Sequence, residues 1–431
     1  MKIKLQVIAL SLICLVSTGL KAQEVELTET EKLAQRTQAL ESAVKKLQKF
    51  KVSGYIQTQY QWAEVDADGI NFKLPNRANA YEQAEQESFS RFGVRRGRIK
   101  FTYEDGLFSG VFQPDFTERG VSFKDVYLNV RDPWTGTNAL RAGIFDRPFG
   151  HEVAYSSSRR ESPERARIIQ TLFPDERDLG AMLVLQPAKT SPWNILKLEA
   201  GLFAGNGIRP EIDSRMDFIG HLSVTKTIKK DMVISGGVSA YLGGVFQGTD
   251  NVYVMENNTW KLDVTDGYGK FAQRNYFGVD AQFSAKTCAG LTQLRGEYIF
   301  GKNPGNIDGA YDFKFEAKEF QAGGKLTGDT YMRNISGGYV ILTQELGKLP
   351  LTFVAKYDWY DPNTDIAGND ITNKGEILMS NIGLGLFWDI DSALRLTAYY
   401  DIVKNETSEN VTGWKEDRKD NVFTLRLQYK F

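Results

Sequence analysis

The sequence predicts an all-β fold, a transmembrane antiparallel β-barrel of about sixteen strands that follows a signal peptide and a short N-terminal coiled-coil helix. Three observations lead to this prediction. The chain begins with an export signal, residues 51–431 alternate apolar and polar side chains, and the last alternating segment ends at Phe431. Successive side chains of a strand point to opposite faces, so an alternating wall separates hydrocarbon from water.

Residues 1–22 have the organisation of a signal peptide. Two lysines precede an apolar run from Leu5 to Leu20, and the small residue Ala22 completes a cleavage site before Gln23. The apolar run is shorter than the roughly 20 residues with which a helix spans a bilayer. We therefore expect export through the general secretory pathway and removal of residues 1–22.

Composition and charge argue against several classes of protein. Removal of residues 1–22 takes away three lysines and no acid, so the formal net charge changes from −1 to −4. The chain lacks the basic excess of a nucleic-acid-binding protein, and we expect no nucleic-acid partner. Only Cys288 remains after cleavage, so an intrachain disulfide cannot form.

Residues 23–50 have a different period from the rest of the chain. Leu33, Leu40 and Leu47 recur every seven residues among charged side chains, which predicts a periplasmic helical segment with a short coiled-coil seam. Such a short helix is marginal alone, because helix nucleation is costly. Both a trimeric coiled coil and an amphipathic helix packed on its own barrel fit the pattern.

From Lys51 onward the period is two. In the first segment Ile56, Tyr60 and Trp62 share one face, while three glutamines share the other. We predict sixteen strands near residues 51–62, 89–104, 107–117, 121–132, 138–146, 179–188, 193–204, 216–227, 231–244, 271–286, 290–302, 331–345, 349–360, 376–390, 392–404 and 418–431. Most have the length of about ten residues that a tilted membrane strand needs.

The predicted connections sort into two classes. Tight turns are expected at 104–106, 229–231 and 389–391, and long polar loops near 63–88, 245–270, 303–330 and 361–375. Short turns on one rim and long loops on the other are typical of an outer-membrane barrel.

The final segment is the most specific feature of the sequence. Phe423, Leu425, Leu427, Tyr429 and Phe431 alternate with polar residues to the last position. A terminal aromatic on such a strand is similar to the signal read by the outer-membrane barrel assembly machinery, which we therefore expect as a partner through Phe431.

Several short motifs resemble the phosphate-selective porins O and P, and their order spans nearly all of residues 51–431. The matching residues are Gly54-Tyr55-Ile56-Gln57, Ala142-Gly143-Ile144-Phe145, Pro148-Phe149-Gly150, Leu172-Phe173-Pro174, Arg177-Asp178-Leu179-Gly180, Gly201-Leu202-Phe203-Ala204-Gly205-Asn206-Gly207, Leu294-Arg295-Gly296-Glu297-Tyr298 and the segment 423–431.

The resemblance implies a trimeric sixteen-stranded porin of the Gram-negative outer membrane. It also implies an inward-folded constriction loop and a basic lumen that favours phosphate or polyphosphate. The negative net charge of the mature chain departs from the lysine- and arginine-rich lumen of family members used for phosphate uptake.

A basic cluster on the second predicted strand is the first candidate for lining the pore. If Ile99 faces lipid, then Arg96, Arg98 and Lys100 share the lumen wall. A lysine or arginine on the lipid face near the midplane would cost roughly 2–4 kcal/mol. The same reasoning puts Arg131 and Arg141 on lumen faces.

The connection 147–178 is the predicted constriction loop. It carries the candidate anion-binding residues Arg147, Arg159, Arg160, Arg165 and Arg167. It also carries Arg177 and six acids, Glu152, Glu161, Glu164, Asp175, Glu176 and Asp178. The arginines either bind anions or pair with the acids to fix the loop, and both interpretations can hold for different arginines.

Other motifs carry weaker signals. The stretch 361–366 is similar to a calcium loop, but Ile366 replaces the glycine at its sixth position, so we expect a turn. His151 lies near Ser156, Ser157 and Ser158, which leaves a Ser–His pair open. The sequence has no nucleophile elbow, metal-ligand spacing or phosphate-cradling glycine loop. We expect no enzyme, no bound metal and no cofactor.

The sequence therefore predicts a passive diffusion channel for small solutes, with a preference for anions such as phosphate. Its expected partners are outer-membrane lipid, small anionic solutes and two further copies of the chain. The alternative is a non-conducting barrel that binds or adheres through its long outer loops. A plugged transporter is disfavoured, because the segment Gln23–Phe50 is far shorter than a plug of about 100 residues and the strands are too few.

Overall fold

The computed structural model describes residues 28–67, 88–208, 213–310 and 328–431. The chain divides into two compact units, residues 1–50 and 51–431. The predicted signal peptide lies outside the described residues. Within the described part of the chain, no helix is both long enough and apolar enough to cross a membrane.

In the described residues of the first unit, from 28 onward, the chain forms the helix α1 (Glu29–Gln48). Lys45 and Lys46 in its last turn stabilise the helix, because their positive charges lie near the negative end of the helix dipole. Leu33, Leu40 and Leu47 are exposed along it. The coiled-coil seam stays a prediction.

The second unit is a sheet whose wall has sixteen strands in the described residues, as predicted. They are β1 (Phe50–Glu64), β2 (Ser88–Asp105), β3 (Phe108–Thr117), β4 (Gly120–Arg131), β5 (Ala139–Asp146), β6 (Arg177–Leu185), β7 (Leu196–Phe203), β8 (Asp217–Lys229), β9 (Met232–Phe246), β12 (Phe271–Thr287), β13 (Gly290–Asn306), β15 (Thr330–Glu345), β16 (Leu351–Asp361), β17 (Met379–Asp389), β18 (Leu394–Asn405) and β19 (Val422–Lys430).

Among the described residues, three short strands lie outside the wall, namely β10 (Val252–Glu256), β11 (Thr259–Val264) and β14 (Gly309–Ala310). β10 and β11 form a hairpin inside a connection that we predicted as a long polar loop. Asn257 and Asn258, with φ of 49° and 62°, make its turn, and two such residues suit a two-residue hairpin turn.

The wall closes on itself because the first and last strands pair. β1 and β19 run antiparallel, with Tyr55 opposite Lys430 and Ala63 opposite Val422. β1 also pairs with β2, so it has a neighbour on each side. Closure satisfies the backbone hydrogen bonds that an open edge would leave exposed to lipid.

The predicted alternation holds along the wall. In β17, Ile382, Leu384 and Leu386 are exposed on the outer face, while Gly383 and Gly385 are buried on the inner face. A Cβ atom at Gly383 would lie only 2.0 Å from the Tyr399 hydroxyl oxygen. Glycine is therefore needed there so that the Tyr399 ring can lie against the inner surface.

The rims differ in loop length, with one exception. Tight turns such as 105–108, 229–232 and 287–290 lie on one rim, and the connections 146–177, 246–271, 361–379 and 405–422 lie on the other. The connection 117–120 on the long-loop rim is a tight turn in which Gly120 has φ of 118°. We call these the short-turn rim and the long-loop rim.

An apolar core lies inside the barrel. The short helix α2 (Arg167–Leu172) buries Ile168, Ile169 and Leu172. Phe149 and Phe173 stack with ring centroids 4.8 Å apart, and Phe173 meets Tyr241 edge-on at 6.2 Å. Packed aromatic side chains therefore cover part of the lumen wall.

Candidate functional site

Residues 147–176 connect β5 to β6. Together with Arg177 and Asp178, the first two residues of β6, we call them the inner loop, and they contact inward-facing side chains on distant strands. Ser157 Oγ lies 2.9 Å from the Tyr55 hydroxyl on β1. At another point, the Gly150 amide donates to Ser239 Oγ on β9 at 2.9 Å. The Arg167 amide donates to Asp358 on β16, also at 2.9 Å. The inner loop therefore crosses the lumen.

A buried carboxylate holds the start of the inner loop. Glu297 on β13 accepts hydrogen bonds from the backbone amides of His151 and Glu152. Gly150 has φ of 59°, and a Cβ atom there would lie 2.6 Å from a Glu297 oxygen. Glycine at position 150 thus allows the close approach of this carboxylate to the backbone.

The other side of the inner loop meets a basic wall, which we define as the arginines that surround Glu164. Arg95 donates two hydrogen bonds of 2.7 Å to the Glu164 carboxylate. Arg96 and Arg426 each approach it at 3.2 Å, and Arg160 at 3.8 Å. One carboxylate therefore faces four guanidinium groups, which leaves an excess of positive charge.

The excess of positive charge around Glu164 determines the pKa of its carboxyl group. Burial alone would raise the pKa of its carboxyl, but Arg95, Arg96 and Arg426 hold the pKa well below the usual range. Glu164 consequently stays ionised at neutral pH.

Two further basic residues of β2 continue the wall toward the short-turn rim. Arg98 Nε lies 2.8 Å from Asp115, and its Nη1 donates to Ser157 Oγ at 3.1 Å. Lys100 is partly exposed, and its Nζ lies 3.7 Å from Asp125. Arg96, Arg98 and Lys100 thus share one part of the inner surface, and their role in lining an anion path stays a prediction.

Arg131 and Arg141 lie apart from that wall. Arg131 lies at the short-turn end of β4, where its closest contact to Glu104 is 4.0 Å. The Arg141 guanidinium lies over the Tyr127 ring, 4.7 Å from its centroid. Stacking on an aromatic face keeps a cation while shielding it from water.

The arginines of the inner loop have unequal surroundings. Arg147 is fully buried and pairs with Asp178 at 3.1 Å. Arg160 donates to the backbone oxygens of Ser162 and Pro163, at 3.2 Å and 2.7 Å. These contacts fit the structural interpretation, in which charge fixes the loop.

The remaining three inner-loop arginines differ among themselves. Arg165 pairs with Glu176 and donates to backbone oxygens. Arg167 lies against the Met379 sulfur, and Arg159 is exposed. Among the residues that the structure describes, Arg159 and Arg167 have no carboxylate within 4.0 Å. The exposed Arg159 is the inner-loop arginine best placed to meet a solute.

Two cavities lie on either side of the inner loop, and both reach Arg165. The long-loop cavity has a volume of about 460 Å³. It is lined by equal numbers of basic and acidic side chains, namely Arg91, Arg95, Arg119, Lys124 and Arg165 with Asp115, Glu118, Glu164, Asp175 and Glu176.

The short-turn cavity has a volume of about 350 Å³ and a different charge. Six cations, Arg98, Lys100, Arg159, Arg165, Arg177 and Lys430, face two acidic side chains, Asp125 and Asp146. Outside this lining, Arg98 also pairs with Asp115, and Arg165 and Arg177 pair with Glu176. Ser156, Ser157 and Ser158 add hydroxyl groups to the same surface. The arrangement is suited to anions, because cations and hydroxyl donors are both available.

The sequence analysis missed Arg426 and Arg95 as candidate residues. Arg426 bonds Gln59 at 2.9 Å, besides its contact with Glu164. The alternation of the last strand already assigned Arg426 to the lumen face, so the signal was available. The meeting of four arginines at one glutamate depends on barrel closure and could not be read from spacing.

In the described part of the chain, the structure shows the surroundings of the possible Ser–His pair and of the potential metal ligands. No hydrogen bond joins His151 to Ser156, Ser157 or Ser158, and the His151 ring lies against Tyr155 instead. Burial, and secondarily Arg295, lower the pKa of His151 to about 4. No group of three or more potential ligands is arranged to hold a metal.

The stretch 361–366 forms hydrogen bonds within a turn. The Asn363 amide donates to Asp361 at 3.0 Å, and the Asn334 side chain donates to Asp365 at 2.8 Å. Its carboxylates are thus engaged with neighbouring amides.

Comparison with known proteins gives one family and several similar folds. The family model described as phosphate-selective porin O and P matches residues 76–431. A search of the curated proteins found no match.

Three solved structures have similar folds. A high-pH structure of Pseudomonas putida OprB has a TM-score of 0.54 at 8% identity, over 92% of this chain and 96% of that one. The outer membrane channel DcaP of Acinetobacter baumannii has a TM-score of 0.53 at 12% identity, over 89% and 97%. The trimer form of Vibrio cholerae OmpT has a TM-score of 0.50 at 12% identity, over 89% and 99%. At these identities the likeness is one of fold.

Proposed function

This chain belongs to the phosphate-selective porin O and P family, and from that premise we propose that it is a passive channel whose solutes are small anions, phosphate among them. The family and the barrel fold indicate a porin of the Gram-negative outer membrane. The observation that carries the anion preference is the excess of cations beside the inner loop, four arginines at Glu164 and six cations in the short-turn cavity.

The route of the anion follows from where the lumen is polar. On one side, the apolar core of α2 and the aromatic wall offers no partner for a charged solute. On the other side lie the two polar cavities, and Arg165 lines both of them. An anion that sheds part of its water there gains from fixed cations that it would not meet in solution.

Preference for phosphate over a spherical anion would come from the chemistry of the donors. Guanidinium groups present two parallel donors that match two oxygens of one phosphate. The Ser156–Ser158 row lies in the same cavity as Arg159 and supplies hydroxyl donors to the remaining oxygens.

We also propose the expected assembly and processing. OmpT of Vibrio cholerae has a trimer form, and a homotrimer suits this chain. Cleavage before Gln23, a periplasmic segment 23–50 and delivery through Phe431 to the barrel assembly machinery complete the proposal.

A second candidate function deserves one test because of the apolar core. Packing of α2 against Tyr241, Tyr276 and other inward-facing residues fills part of the lumen. A non-conducting barrel that binds through its long loops is therefore the alternative.

Planar-bilayer recordings on the refolded full-length mature protein distinguish these functions. In a potassium chloride gradient we expect single-channel steps and a reversal potential of anion-selective sign. Added phosphate should reduce the chloride current as it occupies the basic wall. A cation-selective reversal potential would contradict the anion preference, and absence of any conductance would favour the non-conducting barrel.

A further inference from the structure

The outside of the barrel carries a groove near the long-loop rim. It lies over β12, β13 and β15 and has a volume of about 740 Å³. Its lining changes from exposed aromatic rings, Phe277, Tyr298 and Phe300, to polar side chains close to the rim. An apolar surface that ends abruptly in a polar row marks the boundary between acyl chains and lipid head groups.

The strand register defines three rows in this groove. The polar row nearest the rim is Asn275, Lys302 and Asn334, and the two rows below it are Phe277, Phe300 and Ser336, then Val279, Tyr298 and Gly338. Rows on one face are two residues apart, which is roughly 7 Å along a strand. One cation therefore lies directly above a column of aromatic and small residues.

The groove ends at Gly338. A Cβ atom there would lie 3.0 Å from the Trp359 ring, and the Tyr298 and Trp359 rings stack across this position with centroids 6.3 Å apart. Above that closed end, the small side chain of Ser336 leaves a slot beside the rings of Phe277 and Phe300. The slot has the apolar lining that an acyl chain requires.

The charge of Lys302 has no counterpart among the residues that the structure describes. Its side chain is exposed, and no carboxylate of the described residues lies within 4.0 Å of it. Another exposed lysine near the same rim, Lys404, pairs with Asp417 at 2.7 Å. A lysine at the membrane boundary extends its apolar stem along the surface and presents its ammonium to the head groups.

We infer that this groove binds an anionic lipid of the outer leaflet, with a head-group phosphate on Lys302 and an acyl chain in the slot at Ser336, beside Phe277 and Phe300. The inference depends on the outer-membrane location of the barrel and not on whether the lumen conducts. Charge complementarity selects an anionic lipid, and the aromatic column directly below the cation selects an amphiphile over a free anion.

Acidic residues set the direction from which the head group approaches. Asp361 lies opposite Ser336 in the register, and Asp365 accepts a hydrogen bond from Asn334, so the β16 side is negative. The β12 side offers the neutral amides of Gln273 and Asn275. The phosphate therefore lies between Lys302 and β12, and Asp361→Asn should strengthen binding.

Native mass spectrometry of the detergent-solubilised mature protein, titrated with bisphosphorylated lipid A, tests the inference. Loss of one charge-assisted hydrogen bond predicts roughly tenfold weaker binding for Lys302→Gln. Ser336→Phe should weaken binding by filling the slot while leaving the charge in place. The matched control Lys404→Gln removes a paired lysine near the same rim and should bind as the unaltered protein does.

Removal of the lipid phosphates supplies the decisive comparison. Dephosphorylated lipid A should bind the unaltered protein about as weakly as lipid A binds Lys302→Gln, and the substitution should then add no further loss. Equal losses in Lys302→Gln and Lys404→Gln, or binding that ignores the phosphates, would overturn the inference. Dissociation of the oligomer in Lys302→Gln with lipid A binding unchanged would assign the groove to a contact between copies instead.

Discussion

The two sides of the inner loop are held by opposite kinds of force. On one side α2 packs its apolar residues against inward-facing aromatic rings, as in the interior of a soluble protein. On the other side Glu164 and Ser157 meet arginines, glutamines and a tyrosine of β1, β2 and β19. Packing fixes where the loop lies, whereas charge determines what can pass beside it. Substitutions on the two sides should therefore separate stability from selectivity.

The largest loss of stability should come from a substitution that creates a cavity on the apolar side of the inner loop. Phe173→Ala removes a ring that is almost fully buried between Phe149, Tyr241 and Tyr276. A cavity of this kind costs about 4 kcal/mol in the free energy of unfolding. Thermal unfolding in detergent, followed by tryptophan fluorescence, would measure the loss.

The control for that substitution is Phe92→Ala, because Phe92 is 84% exposed on β2. It should change the unfolding temperature little. Equal losses in the two variants would mean that the apolar core contributes no more than an outward-facing ring does.

The next largest effect should come from the charged side, through Glu164→Gln. This change leaves four guanidinium groups without their shared carboxylate and costs about 3 kcal/mol, because unpaired buried charge is poorly solvated. The same change should shift the bilayer reversal potential further toward anions. Glu104→Gln, at the exposed Lys51 pair on the rim, is the control. Reduced anion selectivity in Glu164→Gln would contradict the role given to the basic wall.

A smaller, purely functional effect is expected at Arg159. Its side chain is exposed and lines the short-turn cavity, so Arg159→Gln should alter the free energy of unfolding by less than about 0.5 kcal/mol. Phosphate block of the chloride current should nevertheless weaken. Lys189→Gln, on an exposed turn away from both cavities, should leave the block unchanged. If phosphate block weakens equally in the Lys189 variant, the effect of Arg159→Gln comes from the change in net charge and not from the position of Arg159.

The smallest effect concerns pH. The pKa of His151 is lowered to about 4, first by burial and then by Arg295, so the folded state favours the neutral ring. The free energy of unfolding is highest above the unfolded pKa of about 6.5, where the ring is neutral in both states. It decreases as the pH falls toward 4, because the unfolded ring then binds a proton more readily than the folded one. Unfolding temperatures between pH 7 and pH 4 should therefore fall less steeply in His151→Gln. If the unfolding temperature falls equally with pH in both proteins, His151 does not contribute to the pH dependence of stability.

How well the fold could be predicted depends on which element is considered. The wall strands were predictable because a two-residue period survives over ten or more residues, as for β12, predicted at 271–286 and found at Phe271–Thr287. The β10–β11 hairpin was missed, although Asn257-Asn258 between alternating segments gave a hairpin signal. Its strands are too short to stand out from a polar loop.

The candidate site was only partly predictable. The period alone assigned Arg96, Arg98 and Lys100 to one face, and the contacts agree. The partners of those residues could not be predicted, since Glu164 lies 68 residues from Arg96 and 262 from Arg426. The apolar core escaped detection for a similar reason. The period assigns Tyr276 to the inner face, opposite Phe277, but its partner Phe173 comes from the distant inner loop.

The seam between β1 and β19 has a kinetic consequence. Gln59 and Arg426, bonded across it, are separated by 367 residues, so almost the whole polypeptide must be in place before this contact forms. Until then both edge strands expose unpaired amides that can capture another chain. The basic wall is completed in the same event, since Arg426 comes from the last strand. Pairing along this seam therefore covers both edges and completes the basic lining of the barrel in one step.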